Sequence, residues 1–186
     1  MDNYEAYKEA RDLAWRVLLE SEVKELPVDL KVVADAYGIE VISYKKAIDD
    51  GRLSLEKAKG RFFIESVKGK RTVYVNNALK DRGSVRFSIA MGIGTCLISK
   101  TPWKWDERTN YMAGIFARDL LMPAIVLFSI NALDAKAIKE VSQVSMKAAE
   151  IRAERMAELV ARERFNTSRL EEKVKEQFKD YIEKRG

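Results

Sequence analysis

Apolar residues recur at helical spacing near the start of the chain. The segment 3–20 predicts an amphipathic helix, because its apolar residues share one face. These residues are Tyr7, Ala10, Ala14, Val17 and Leu18. A second helix is expected over 29–37, where Gly38 ends the periodic pattern.

The pattern then changes to short runs rich in β-branched and aromatic residues. The runs 39–44, 60–66 and 71–77 predict three strands. The link 67–70 is short and contains a glycine, so the last two strands are expected to form a hairpin. We expect 45–59 to be a loop or a short helix, and the sheet to be antiparallel.

Helical spacing returns at residue 84. It predicts helices over 84–98, 107–121, 134–142, 145–164 and 168–184, with a break at 102–106. The predicted class is α+β, a small three-stranded antiparallel sheet packed by helices. We divide the chain into a core over residues 1–130 and a helical C-terminal extension over 131–186 that packs on the core.

Composition removes several kinds of chemistry. The 186 residues include no histidine and one cysteine, which excludes His-based acid–base catalysis, an intrachain disulfide and a zinc site of His and Cys ligands. Lys and Arg number 34 against 29 Asp and Glu, a net charge of +5. This intermixed charge is compatible with nucleic-acid contact but favours a solvated surface.

Neither a secretory signal nor a membrane span is predicted. The first eleven residues are polar and charged, and the most apolar run, 120–130, is shorter than the about 20 residues that cross a bilayer. We therefore expect a cytoplasmic protein without a membrane partner, in which 120–130 is a buried helix or turn.

Several sequence blocks resemble one known family. The blocks RFSIAMGIGTCL at 86–97 and FARDLLMP at 116–123 are similar to those of the ImmA/IrrE family of zinc metallopeptidases. Members read R-F-[ST]-I-A-H-E-[IL]-G-H in the first helix and E-A-N-x-F-A, closing in L-L-M-P, in the second. Further similar blocks lie in 26–41, 141–156 and 161–182. The resemblance implies a zincin-like metallopeptidase core.

The departure from the family falls on its catalytic residues. In an HExxH helix two histidines at i and i+4 bind zinc, and the glutamate activates the metal-bound water. The alignment places Met91 and Thr95 at the two histidines, Gly92 at the catalytic glutamate and Met112 at the third-ligand glutamate. The resemblance therefore implies a scaffold without intact catalytic or zinc-binding residues, and we expect no cofactor and no peptidase activity.

Other residues near these blocks form a weak pattern for a replacement metal site. Cys96 is one thiol, and a buried inert side chain explains it better. The nearby carboxylates, for which a solvated surface is favoured, are Asp106, Glu107 and Asp119. Trp103 and Trp105 could line a pocket, although Trp at a helix connection is more often part of a core.

The four replacements predict a dry contact between the two helices. Met91 and Met112 are apolar, whereas Gly92 and Thr95 are small, so the helices are expected to pack directly. Glycine lowers helix propensity by about 1 kcal/mol relative to Ala. We therefore expect a close neighbour to compensate at Gly92 and at Gly94.

The resemblance implies a protein partner. Family members cut or antagonise helix-turn-helix repressors of mobile elements, so the first hypothesis is a pseudopeptidase that binds such a repressor. Binding does not need the metal, because recognition comes from the groove. The sheet edge at 61–66 could accept a peptide strand, or the segment 45–59 could cover this edge.

Three alternatives stay open. The segments 30–41 and 137–156 have helix–turn–helix spacing, and a DNA-binding or regulatory module would use the arginines near the second. These are Arg152, Arg155, Arg162 and Arg164, but interleaved glutamates favour a solvated helix face. An engineered metal-free variant of the peptidase scaffold fits the same pattern. An active hydrolase with an unusual site is the weakest alternative, because no residue set supplies base and electrophile.

Overall fold

A computed structural model of the chain describes residues 3–99, 106–165 and 167–185. The described elements are α1 Asn3–Glu20, α2 Leu30–Ala36, β1 Ile39–Ser43, α3 Tyr44–Asp49, β2 Phe62–Val67, β3 Lys70–Val75, α4 Arg82–Ile98, α5 Glu107–Leu121, α6 Ala124–Ser129, α7 Ala135–Ser142, α8 Met146–Ala161, α9 Arg169–Gln177 and α10 Lys179–Glu183. The predicted α+β class is confirmed.

The sheet has the order β1-β3-β2 and is mixed. β2 and β3 form the predicted hairpin and run antiparallel, whereas β1 runs parallel to β3, with Val41 opposite Val73. The prediction of a wholly antiparallel sheet is therefore wrong. β1 and β3 are connected by residues 44–69. This connection exceeds the about a dozen residues that a parallel pairing needs, so the chain can return to start β3 beside the start of β1.

Side-chain caps fix where several helices begin. Asp29, Asp81 and Asp106 each accept a hydrogen bond from a backbone N–H in the first turn of the helix that follows, at 2.8, 2.8 and 2.7 Å. The predicted break at 102–106 lies mainly outside the described residues. The single helix predicted over 168–184 is instead two short helices, α9 and α10, that meet at Phe178.

One large apolar cluster joins the helices to the inner face of the sheet. It contains Leu18 of α1, Val73 of β3, Phe116 of α5 and Phe178 after α9. Gln177 links the C-terminal part to the rest, because its side-chain amide donates to the carbonyls of Leu18 and Val23 at 2.8 and 2.6 Å. This cluster draws on both parts of the chain, and the division at residue 130 stays a prediction.

The most apolar stretch lies inside the protein. Glu107–Ser129, which includes α5 and α6, is long and apolar enough to cross a membrane, but 78% of its most apolar window is buried in the fold. A core helix of this kind passes the same length and composition test as a membrane span. The expected buried helix in 120–130 is α6.

Candidate functional site

The helices α4 and α5 carry the four positions that the resemblance identifies as a lost zinc site. Gly92, Thr95 and Met112 are buried, and Met91 is half-buried against the main apolar cluster. The surroundings of each position show which ligands it could supply.

Gly92 lies against the sheet. A Cβ atom built on Gly92 would be 2.4 Å from Cγ1 of Val73 and 3.4 Å from Cδ2 of Phe62. Real Cβ atoms do not come that close to a neighbour, so any side chain here requires the sheet or the helix to shift. Val73 therefore fills the space that a side chain at position 92 would need.

The hydroxyl of Thr95 has a partner within its own helix. Thr95 Oγ1 donates to the backbone carbonyl of Met91 at 2.9 Å. A hydroxyl that bonds the carbonyl four residues back is a common arrangement for Thr inside a helix. This bond ties Thr95 to Met91, the two positions that the resemblance aligns with histidines.

Met112 packs toward α1. It belongs to a small buried cluster with Ala6, Ala10 and Ile115, beside the half-buried Tyr7 and Ile98. Met91 packs instead on the main cluster. Met112, which the resemblance aligns with the third ligand, therefore lies in an apolar environment built largely by α1.

These residues do not fit a zinc ion. Zinc takes Cys, His and carboxylate ligands, whereas the four positions offer two thioethers, a hydroxyl already bonded to backbone and no side chain at Gly92. Within the described ranges, no group of three or more His, Cys, Asp or Glu could hold a metal ion.

Helices α4 and α5 pack directly at Gly94, whereas a dry contact formed by the four replaced positions stays a prediction. A Cβ atom on Gly94 would lie 2.5 Å from Cδ1 and 2.9 Å from Cγ of Phe116, which is fully buried on α5. A neighbouring helix therefore compensates for the glycine at Gly94, while the sheet does so at Gly92.

Cys96 is a buried thiol, as predicted. Its side chain is 6% exposed, and burial raises its pKa to about 11. Its backbone carbonyl accepts a hydrogen bond from Arg71 Nη1 at 2.6 Å, which joins the end of α4 to β3. A thiol with a raised pKa is a poor nucleophile and a poor metal ligand at neutral pH.

The three candidate carboxylates have different environments. Asp106 caps α5, and Glu107 is exposed. Asp119, expected to be solvated, is 1% exposed, so that prediction is wrong. It accepts hydrogen bonds from Arg118 Nη2 at 2.8 Å and from Arg152 Nη2 at 2.9 Å. Trp103 and Trp105 lie outside the described residues.

The prediction that Arg152 lies on a solvated or DNA-facing surface is wrong. Its side chain is fully buried against Asp119. Burial alone would raise the pKa of Asp119, but the two arginines together lower it below its ordinary value. The sequence did contain a signal, because Arg152 lies on the buried stripe of α8 between Ala149 and Met156.

The edge strand β2 lies beside the Gly92 position. The segment 44–59 does not pair with this edge but packs on the outer face of the sheet, where Tyr44, Ala47 and Leu53 cluster with Tyr74. In the part of the chain that the structure describes, no strand pairs with the outer side of β2. Within the described residues the segment 45–59 therefore adds no strand to this edge, and the choice between a free and a covered edge stays open.

The register shows which backbone groups of β2 point outward. Asn76 N donates to the carbonyl of Arg61 at 3.0 Å, so alternate residues from Arg61 bond to β3. The backbone groups of the residues between them, which include Ile64 and Ser66, point toward the outer edge.

Comparisons with known proteins identify no family. No protein-family model matches the sequence, and no curated protein is significantly similar to it. The resemblance to ImmA/IrrE metallopeptidases stays a prediction.

Proposed function

We propose that the protein is a metal-free pseudopeptidase on an ImmA/IrrE-like, zincin-like scaffold. The observation that carries the proposal is the contact between Gly92 and Val73, at the position where the family would place its catalytic glutamate. A packed contact there removes the general base. The scaffold around it keeps its helix pair and its sheet.

The retained activity under this proposal is protein binding. Phe62 and Val73 are the two sheet residues nearest Gly92, so β2 runs directly beside the former site. The outward backbone groups at Ile64 and Ser66 can pair with an extended peptide, because strand addition uses main-chain hydrogen bonds. The half-buried side chains of β2 would form one wall of the groove.

The partner that this proposal names is a helix-turn-helix repressor in the cytoplasm. The class of partner comes from the family resemblance, and the genes beside the one for this chain would provide the individual repressor. In this scheme the protein sequesters an extended segment of the repressor without cutting it.

The test uses a helix-turn-helix repressor from the same genome and two variants at one position. Ser66→Pro removes an outward N–H from the edge strand without removing a bond to β3. Ser66→Ala keeps that N–H and is the matched control. We expect calorimetric titration to show saturable binding by the wild type and by Ser66→Ala. Binding by Ser66→Pro should be roughly tenfold weaker, the effect of one lost hydrogen bond.

Three outcomes would contradict the proposal. These are no binding of the repressor by the wild type, cleavage of the repressor on incubation with the wild type, and equal affinity of Ser66→Pro and Ser66→Ala. Circular dichroism of each variant establishes that the fold is kept.

Nucleic-acid binding is a second candidate function, and one groove favours it. Helices α7 and α8 are joined by the turn 143–145, which is the spacing of a helix-turn-helix. The groove beside this turn is lined by Lys80, Arg82, Lys136, Lys139 and Lys147 together with other residues. The outer face of α8 also exposes Glu150 and Glu154, which would repel phosphates. A salt-dependent mobility shift with duplex DNA would support this function over the first.

A further inference from the structure

A cavity separates α1 from α8 and from the segment that leads into α9. Its volume is about 250 Å³. Five arginines contribute to its lining: Arg11, Arg152, Arg155, Arg162 and Arg164. None of its lining residues belongs to the sheet or to α4, so it is separate from the proposed peptide groove.

Arg152 brings unused hydrogen-bond donors to this cavity. The side chain is fully buried, and its Nη2 donates to Asp119 and to the carbonyl of Met122. Its Nε and Nη1 have no hydrogen-bond partner among the described residues. A buried charged donor without a partner costs more than a surface one, because its hydration is lost.

Trp15 adds a second unused donor. Its indole is 3% exposed and lines the same cavity, and its Nε1 has no partner within the described residues. The ring stacks under the guanidinium of Arg11, 4.7 Å from the ring centroid. A buried Trp N–H usually donates to an acceptor. Because Trp15 Nε1 has none among the described residues, this wall of the cavity offers a donor to a ligand.

The lining of the cavity as a whole is positive. Its five arginines outnumber its two carboxylates, which are Glu171 and the Asp119 that Arg118 and Arg152 share. Burial is the main reason that the pKa of Arg152 is lowered, and the nearby positive charge of Arg118 also lowers it. The other lining carboxylate, Glu171, accepts from the backbone N–H of Thr167 at 2.9 Å.

The mouth of the cavity is also positive. Arg162 and Arg164 are exposed there, and Arg155 lines it with a buried Nε that lacks a partner among the described residues. Nη1 of Arg155 donates to Glu158. The donors of the floor and the charges of the mouth therefore face one small space.

We propose that this cavity binds a small phosphate-bearing anion, with the phosphoryl group against Arg152 and Trp15. A phosphoryl group carries three acceptor oxygens and close to two negative charges, whereas a carboxylate carries two oxygens and one charge. Several arginines around one site match the phosphoryl group better, because guanidinium–phosphate pairs are strong and directional. Inorganic phosphate is the simplest probe of this chemistry.

The experiment titrates the full chain with inorganic phosphate at constant ionic strength. Arg162→Ala/Arg164→Ala removes two exposed charges from the mouth without disturbing the core. Arg16→Ala/Arg169→Ala removes two exposed charges that do not line the cavity, so it is the charge-matched control. We expect saturable binding by the wild type and the control, and roughly tenfold weaker binding by the mouth variant.

A second variant tests the floor. Arg152→Met should abolish saturable phosphate binding. If Arg152→Met does not fold, the comparison of Arg162→Ala/Arg164→Ala with its control still tests the proposal. Sulfate should compete with phosphate, whereas acetate should not. The proposal is overturned by a wild type that shows no saturable phosphate binding, by equal losses in the mouth variant and its control, or by acetate that binds as tightly as phosphate.

Discussion

Gly92 of α4 and Val73 of β3 are packed so closely that a Cβ atom on Gly92 would lie 2.4 Å from Cγ1 of Val73. This contact joins the first helix after the sheet to the central strand. Under the proposed alignment, this is also the position at which an HExxH helix would carry its general base. The contact has a structural role in this chain and leaves no space for a side chain at position 92.

The first prediction concerns this contact. Gly92→Ala should lower the free energy of unfolding by about 1–3 kcal/mol, because overpacking forces the helix or the sheet to move. Gly114→Ala is the matched control on α5, since a Cβ atom there meets nothing within 4 Å. It should raise stability by about 0.5–1 kcal/mol, the ordinary gain of Ala over Gly in a helix.

Urea denaturation measures both effects, and a double variant tests their cause. Val73→Ala removes the methyl groups that crowd Gly92, so Gly92→Ala should cost less in that background than in the wild type. Equal free energies of unfolding for Gly92→Ala and Gly114→Ala would contradict the close contact between Gly92 and Val73.

Local signals in the sequence predicted local structure well. The bounds of α1 and the β2–β3 hairpin follow from spacing and from the glycine in the turn. The direction of β1 did not follow, because strand pairing depends on a partner distant in sequence. The sequence also did not predict that Asp119 and Arg152 are buried. A charged residue is expected on the surface unless its partner is known, and these two partners lie on different helices.

The second prediction restores the zinc ligands while leaving Gly92 unchanged. Met91→His/Thr95→His/Met112→Glu supplies two histidines one helical turn apart and a carboxylate from α5, the ligand set of the family. It should bind one zinc ion per chain. Met91→His/Thr95→His lacks the third ligand and should bind zinc at least about tenfold more weakly. Calorimetric titration with zinc measures both, and a folded triple variant that binds no zinc would show that the alignment is wrong.

The third prediction concerns Cys96. Its pKa of about 11 leaves little thiolate at pH 8, and burial blocks access to the sulfur. A thiol reagent such as Ellman's reagent should therefore label the native protein only at the rate at which it unfolds, and label it rapidly in urea. Rapid stoichiometric labelling of the native protein would contradict this description of the end of α4.

The fourth prediction concerns acid stability. Arg52 donates to both carboxylate oxygens of Glu40, at 2.9 and 2.7 Å, and these bonds are the main reason that the pKa of Glu40 is lowered from 4.5 to about 2. Because the pKa of Glu40 is lower in the folded protein, ionised Glu40 stabilises the fold. This contribution is complete at a pH above the pKa of Glu40 in the unfolded chain. It should be lost as the pH falls from about 4.5 toward about 2.

Thermal melting between pH 2 and pH 7 tests this dependence with two variants. Glu40→Gln should be less stable than the wild type at pH 7 and should lose less stability on acidification. Glu56→Gln, an exposed position, should follow the wild-type curve. An unchanged pH dependence in Glu40→Gln would mean that the pair with Arg52 does not stabilise the fold.

Elemental analysis tests the proposed loss of the zinc site. The protein is purified after expression in zinc-supplemented medium, and its zinc content is measured by plasma mass spectrometry against protein concentration. We expect far less than one zinc ion per chain, and no loss of helical signal after dialysis against a chelator. One zinc ion per chain, retained through purification and removed together with the fold by the chelator, would overturn the proposal of a metal-free pseudopeptidase.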